Sequence, residues 1–276
     1  MYGEAMNPIW TGTISFGLVN IPISLYSATK QRRIDFDYLR KDDLCPVGYR
    51  RVCKNTGEEV PYKNIVRGYE YRKGQYVVLT KEDFEQADVR KTYTVEILDF
   101  TEEDDVKAKY YQKPYFVASE KGGDKGYVLL RDALRKSGKV GIARYILKTR
   151  EHLGVLSVQG DYLILNQIRF ESEMLRPTSI PVPKTANISE EELETSLKLI
   201  EGLSDTFNPE KYHDTYTEEL KEVIAEKAQG RKAPRVKEER LEPTEITEIL
   251  KNLRESIDRL EKRTSFEAEA KPRQIK

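Results

Sequence analysis

Up to about residue 170 the chain consists of short β-branched and aromatic segments separated by turn residues, and this pattern constrains the fold most. Examples are residues 75–80 (QYVVLT), 93–98 (YTVEIL), 115–118 (YFVA) and 142–147 (IARYIL). Runs of this length bounded by turn residues are typical of strands, and residues 155–165 around Gly160 predict a hairpin. Many short strands with few helices predict a β-barrel or a β-sandwich.

The first of these segments, residues 9–22 (IWTGTISFGLVNIP), contains the only tryptophan of the chain. Bulky side chains alternate there with Gly, Ser and Thr, which predicts a strand with one buried face and a bend at Gly17. We expect Trp10, Phe16 and Leu18 to help hold the core together.

One helix interrupts the strands. Residues 125–136 place Tyr127, Leu130 and Leu134 at helical spacing, and the following Gly138 is a typical helix stop. The sequence therefore predicts a mainly β domain with one inserted helix over residues 6–176.

The composition changes at residues 177–183, where three prolines predict a stiff extended connection. Ser189 and Glu192 then form a capping box, which predicts that a helix begins there, and a second helix is expected over residues 214–227. We expect a helical arm over residues 177–229. Residues 230–242 are polar, contain Gly and Pro, and predict a flexible linker.

A third helix is predicted over residues 243–263 because apolar residues recur there at helical spacing. A helix with such a stripe must bury it, either on its own core or in a groove of a partner, and both possibilities stay open. Residues 264–276 are predicted to be a disordered tail. The stripe consists of Ile246, Ile249, Leu250, Leu253, Ile257 and Leu260.

The chain of 276 residues carries 47 basic and 47 acidic side chains, so a nucleic-acid site has to be a local patch. Residues 121–150 contain nine Lys and Arg but only two acidic residues, Asp124 and Asp132. This segment is either a binding face for an anionic partner or a solvated basic surface. Its cations are Lys121, Lys125, Arg131, Arg135, Lys136, Lys139, Arg144, Lys148 and Arg150.

Residues that support catalysis are not evident. The sequence has no phosphate-binding Gly-rich loop, no G-x-S-x-G and no H-E-x-x-H. Cys45 and Cys53 are separated by seven residues without a nearby His, which is a poor spacing for zinc, and we expect reduced thiols that pack as small groups. His152 is expected to be structural, and the acidic run 102–105 is expected to form a solvated turn. No enzyme activity, metal or cofactor is predicted.

The apolar runs are shorter than the roughly 20 residues that span a bilayer, and the start of the chain lacks the pattern of a signal peptide. A cytoplasmic protein without membrane contact is the expectation.

Residues 9–29 resemble the opening of bacterial Ku proteins, the DNA end-binding proteins of non-homologous end joining. Further segments resemble the same family in the same order, and together they extend over most of residues 6–260. They include residues 49–53 (YRRVC), 65–71 (IVRGYEY), 74–80 (GQYVVLT), 127–134 (YVLLRDAL), 138–143 (GKVGIA) and 207–216 (FNPEKYHDTY). Many bacterial Ku proteins have a second Cys three positions after the one that matches Cys53, but Thr56 stands there in this chain.

The resemblance implies a Ku-type β-barrel with an inserted bridging arm, followed by a small helical region. It also implies a homodimeric ring that encircles double-stranded DNA ends without reading sequence, associates with the nucleoid at breaks, and recruits a multifunctional ATP-dependent DNA ligase of the ligase D type. Our hypothesis is that residues 243–263, or the two helices before them, recruit this ligase. A metal-dependent DNA-processing enzyme and a protein-interaction scaffold are the alternatives. The expected ring lining comprises Lys30, Arg32 and Arg33 together with the nine cations of residues 121–150.

Overall fold

The computed structural model describes residues 6–30, 33–87, 93–148, 150–178, 180–183, 185–231 and 248–269. The chain divides into two compact units, Met1–Pro177 and Thr178–Lys276.

The first unit contains a closed seven-stranded barrel, so the prediction of a barrel is confirmed. Neighbouring strands are antiparallel except at the closure, where the first strand pairs in parallel with the fifth, Ile14 lying opposite Val95. The strands are β1 (Trp10–Phe16), β2 (Val19–Ser27), β5 (Thr94–Glu102), β6 (Tyr111–Ser119), β7 (Lys139–Leu147), β8 (Arg150–Gln159) and β9 (Tyr162–Ile168). Their order around the barrel is β1, β2, β6, β9, β8, β7, β5.

The opening stretch is a hairpin and not one bent strand. Gly17 has a φ of +59°, which suits glycine, and it turns the chain so that Phe16 pairs with Val19. Leu18 stands fully exposed at this turn, so the expectation that it holds the core is wrong. Trp10 and Phe16 are partly buried and pack against the core as expected. The alternation of bulky and small residues is the same for one bent strand and for two strands joined by a two-residue turn. The sequence pattern therefore predicted a single strand where the structure has a hairpin.

The predicted helix is α2 (Asp124–Ser137), and it lies over the end of the barrel where β6 and β8 finish. Tyr127, Leu130 and Leu134 are buried among the inward side chains of the strands, as their spacing predicts. Burial of each such side chain contributes roughly 1.5–3 kcal/mol. The core includes Ile14, Ile21, Ile23, Leu25, Val95, Val117, Tyr145, Leu156, Leu163 and Leu165.

The segment between β2 and β5 leaves the barrel, and we call its described residues 33–87 the arm. It contains the two-stranded sheet β3 (Arg67–Arg72) and β4 (Gln75–Leu79) and a short helix, α1 (Lys81–Ala87). The sequence prediction missed α1, although Thr80 and Asp83 carry a capping-box signal. The Thr80 amide donates to the Asp83 carboxylate at 2.8 Å, and the Asp83 amide donates back to the Thr80 hydroxyl at 3.3 Å.

Two turns of the arm repeat one backbone pattern thirteen residues apart. The amide of Arg40 donates to the carbonyl of Cys45, and the amide of Cys53 donates to that of Glu58, each at 2.8 Å. The residue at the fifth position has a positive φ in both turns, +58° at Leu44 and +74° at Gly57. The arm therefore contains a duplicated turn, in which the only identical residues of the two copies are Lys41 and Lys54 at the second position.

The second unit contains α3 (Glu190–Leu203), α4 (Thr215–Ala228) and α5 (Ile249–Glu269). The capping box that Ser189 forms with Glu192 is present as predicted. Helix α5 continues past residue 263, so the prediction of a disordered tail is wrong for residues 264–269. Glu267, Ala268 and Glu269 in that stretch favour helix. Residues 232–247, with most of the predicted linker and the predicted start of the third helix, lie outside the described residues.

Candidate nucleic-acid interface

Two of the predicted cations stand free at the start of α2. Lys121 precedes the turn at Gly122, Lys125 lies in the first turn of the helix, and both side chains are exposed. Within the described residues neither forms an ion pair. Their charges are therefore available to an external anion.

Arg131 and Arg135, further along α2, are engaged within the protein. Arg131 donates to the backbone carbonyl of Asp161 at 3.4 Å and to the Asp132 carboxylate at 2.9 Å. Arg135 donates to the carbonyl of Gly160, and its guanidinium lies 3.6 Å from the Asp161 carboxylate. Hydrogen bonding from Arg131 holds the pKa of Asp132 below its usual value. These two arginines fasten the turn between β8 and β9 to α2.

Two cations on β7 are paired with carboxylates of the neighbouring strand. Lys139 lies 2.7 Å from Glu102, and Arg144 lies 3.0 Å from Glu96. The bond to Glu96 raises the pKa of Arg144 above its usual value. These two charges are neutralised by their partners. They therefore contribute less to the electrostatic potential outside the protein than the number of Lys and Arg residues in the sequence indicates.

The remaining predicted cation of α2 is Lys136, and its side chain is exposed.

The basic segment is divided between opposite ends of the barrel. Lys139 begins β7, whereas Lys148 lies in the turn after that strand and Arg150 begins β8. A strand of nine residues separates the two groups by about 30 Å. A count along the sequence does not reveal this separation, because a strand carries the chain from one end of the barrel to the other.

Lys30 and Arg33 are exposed where the chain leaves β2 for the arm, and Arg32 lies outside the described residues.

The arm is a second candidate surface, and among its cations the sequence analysis assigned Arg33 alone. None of the described side chains from Arg33 to Phe84 is buried. Arg51 lies over the ring of Tyr62 at 5.1 Å, and Arg67 lies over Phe84 at 5.3 Å. The signal that could have found this surface is the interleaving of basic and aromatic residues without any core pattern. The arm cations without an ion pair among the described residues include Lys41, Lys54, Lys63, Arg72 and Lys73.

Exposed apolar side chains accompany the arm cations. The exposed fractions are 83% at Tyr49, 77% at Tyr62 and 62% at Tyr76. Both faces of the β3–β4 sheet are open, with Tyr69 and Val77 exposed on one face and Tyr76 and Val78 on the other. An isolated two-stranded sheet is marginally stable in water, and a contiguous apolar surface of this kind marks a protein contact.

Both cysteines lie in the duplicated turns of the arm and are free. Cys45 is exposed, so the expectation of two packed thiols is wrong for this residue. Hydrogen bonds from Thr56 lower the pKa of the Cys53 thiol. Within the described ranges, no three His, Cys, Asp or Glu side chains are arranged to hold a metal ion. His152 packs its ring against buried Tyr145 at 5.6 Å, in keeping with a structural role.

The chain matches the family model of the Ku70/Ku80 beta-barrel domain over residues 15–195, which is more than half of its length. The chain belongs to the Ku family. The match to the Ku model extends from β1 through the barrel and the arm into α3.

The similarity to curated Ku proteins covers nearly the whole chain. The non-homologous end joining protein Ku of Opitutus terrae is 40% identical over 255 residues, which are 92% of each chain. The protein of the same name from Bacillus subtilis is 37% identical over 92% of this chain and 82% of its own. The one from Archaeoglobus fulgidus is 37% identical over 82% of this chain and 90% of its own. The resemblance noted in the sequence is thus confirmed.

Among the helices that the structure describes, none combines the length and the apolar character needed to cross a bilayer.

Proposed function

We propose that the protein binds the ends of double-stranded DNA in non-homologous end joining, as a homodimer whose arms and barrels close into a ring. Membership of the Ku family and the names of the relatives support this function. The structural observation that carries the proposal is the arm, which leaves the barrel and lacks a buried side chain from Arg33 to Phe84 within its described residues.

A second copy of the chain is the proposed cover for the arm. Exposed tyrosines on both faces of the β3–β4 sheet need a partner surface, and two-fold symmetric homodimers are the commonest assemblies of soluble proteins. Two arms that meet across a two-fold axis would bury these side chains and complete a ring. A ring can be loaded only from a free end, which provides selectivity for ends without base reading.

Phosphate groups are the proposed contacts of the free cations. Lys121, Lys125 and the unpaired arm cations such as Lys54 can each neutralise one phosphate, because no carboxylate of the described residues neutralises them. Such contacts carry no sequence information. Affinity should then fall with salt by about 0.9 log unit per log unit of salt for each phosphate neutralised.

The third part of the proposal is that α5 recruits an ATP-dependent DNA ligase of the ligase D type. Leu250, Leu253 and Ile257 lie on one side of α5, and they are only half-buried. Sixteen residues, 232–247, connect this helix to the region around α4. A stripe of this spacing fits a groove on another protein.

The test compares linear duplexes with covalently closed circles of the same sequence, in the presence of Mg²⁺ and at several salt concentrations. We expect binding that requires an end, weakens with salt and leaves the DNA intact. Equal binding to circles would reject the ring. Strand cleavage would favour a DNA-processing enzyme, and no binding to either substrate would favour a protein scaffold.

A further inference from the structure

Helix α5 packs against α3 in the second unit. Among the side chains of α5 that the structure describes, the half-buried ones are Leu250, Leu253, Ser256 and Ile257, and they form one side of the helix. The guanidinium of Arg254 also forms an ion pair with the carboxylate of Glu191 on α3. The apolar side of α5 is therefore in use within the chain.

We propose that α3 is an intramolecular clasp, which holds the apolar side of α5 and must release it before α5 can bind another protein. The inference rests on the proposed role of α5 in recruiting a partner. It adds a competition between α3 and that partner for the same three side chains, Leu250, Leu253 and Ile257. A partner then binds only those molecules in which α5 is released from α3. Its apparent affinity is lowered in proportion to the fraction of molecules in which α3 still holds α5.

The contact face of α3 explains why the clasp can open. Thr195 is its buried residue, at 9% exposed, and Ser196 and Leu199 are half-buried beside it. The leucine-rich side of α3 points elsewhere, with Leu193 and Leu197 each 55% exposed. A face made of Thr, Ser and one Leu covers less apolar surface than the leucine stripe would. The contact is therefore weak enough for another protein to displace.

One ion pair contributes to the contact between α3 and α5. Five glutamates and one lysine lie on α3, and Glu191 among them pairs with Arg254 of α5, a helix that carries five basic and five acidic residues. The Arg254–Glu191 pair has both side chains more than half exposed, so its contribution is modest and is weakened by salt. The clasp should open more readily as the salt concentration rises.

Hydrogen exchange of the α5 amides in the full-length protein tests the clasp without any partner. Glu191→Arg places two cations together, and we expect α5 to exchange about two- to five-fold faster, the range for an exposed ion pair. Adding Arg254→Glu to that variant should restore the slow exchange. Thr195→Lys inserts a long side chain into the contact and should raise exchange by more than Glu191→Arg does.

Glu201→Arg is the matched control, because it makes the same charge change on α3 two residues after Leu199 and thus about half a turn away. Exchange of α5 should stay unchanged in this control. If neither Glu191→Arg nor Thr195→Lys speeds the exchange of α5, the clasp is wrong.

A ligation assay separates the clasp from the recruiting role. In the presence of a purified ATP-dependent ligase of the ligase D type, Glu191→Arg should increase end joining relative to the unchanged protein. Faster exchange of α5 together with unchanged joining would uphold the clasp and contradict recruitment through α5. Unchanged exchange would contradict the clasp whatever the ligase does.

Discussion

The hydroxyl of Tyr127 on α2 donates a hydrogen bond to the carbonyl oxygen of Val117 on β6, at 2.9 Å. The same hydroxyl accepts a bond from the amide of Leu163 on β9, also at 2.9 Å. Val117 and Leu163 are partners in the β6–β9 ladder. One tyrosine thus joins the helix to two strands at the end of the barrel, and burial raises the pKa of this hydroxyl so that it stays a neutral donor.

Tyr127→Phe should destabilise the barrel. The substitution keeps the ring but leaves the buried Leu163 amide without its acceptor, which costs about 1–3 kcal/mol. The measurement is the free energy of unfolding in urea. Tyr162→Phe is the control, because the hydroxyl of Tyr162 has no hydrogen-bond partner within the described residues and its ring is largely exposed. Equal free energies of unfolding in the two variants would show that the two hydrogen bonds of the Tyr127 hydroxyl do not stabilise the barrel.

The spacing of Tyr127, Leu130 and Leu134 was sufficient to predict that α2 is a helix with one buried side. The role of the Tyr127 hydroxyl was not predictable, because its two partners lie 10 and 36 residues away in sequence. The same limit applies to the cations. Arg144 is neutralised by Glu96, which is 48 residues away, and only the barrel order places β5 beside β7.

The positive φ of Leu44 should be a source of strain in the arm. Leu44 is exposed and has a φ of +58°, so Leu44→Gly should stabilise its turn by about 1 kcal/mol. Gly57 holds the same position in the second turn, so Gly57→Ala should destabilise that turn by a similar amount. Hydrogen exchange of the Val47 and Val60 amides, which donate across the two turns, reports each effect. Slower exchange of Val60 in Gly57→Ala would contradict the assignment.

The free and the paired cations should differ in their contribution to DNA binding. Lys121→Gln and Lys125→Gln should each weaken binding to linear duplex and lower the salt slope by about 0.9. The double substitution Glu96→Gln with Arg144→Gln removes a paired cation at no net charge, and it should leave the slope unchanged. Filter binding or anisotropy over a salt series measures both. A larger loss of slope in the paired double variant would reverse the assignment.

The capping box of α3 should respond to acid. Hydrogen bonds from the amide and the hydroxyl of Ser189 hold the pKa of Glu192 below its ordinary value. A carboxyl whose pKa is lowered by folding contributes stability above its unfolded pKa of about 4.3, and this contribution is lost as the pH falls through the folded value. Ser189→Ala should raise the pKa of Glu192 in a carboxyl-detected NMR titration. An unchanged titration would show that the box does not act on Glu192.

The arm was the least predictable part of the candidate site. A core pattern identifies a strand by its buried side, but the described side chains of β3 and β4 have no buried side within one chain. Tyr69 and Tyr71 alternate with Glu70 and Arg72 in the way of a half-buried strand, but the side that carries the tyrosines is exposed. In the proposed homodimer a second chain buries these tyrosines, so the pattern of one chain alone does not reveal which side of the sheet is covered.

Topological trapping tests the proposed ring most directly. The protein is allowed to bind a linear duplex, the DNA is then closed into a circle by a ligase, and the complex is challenged with high salt. We expect the protein to stay on the closed circle, because a ring that was threaded from an end cannot leave, and we expect that cutting the circle once releases it. Loss of the protein from the closed circle as fast as from the linear duplex would contradict the ring.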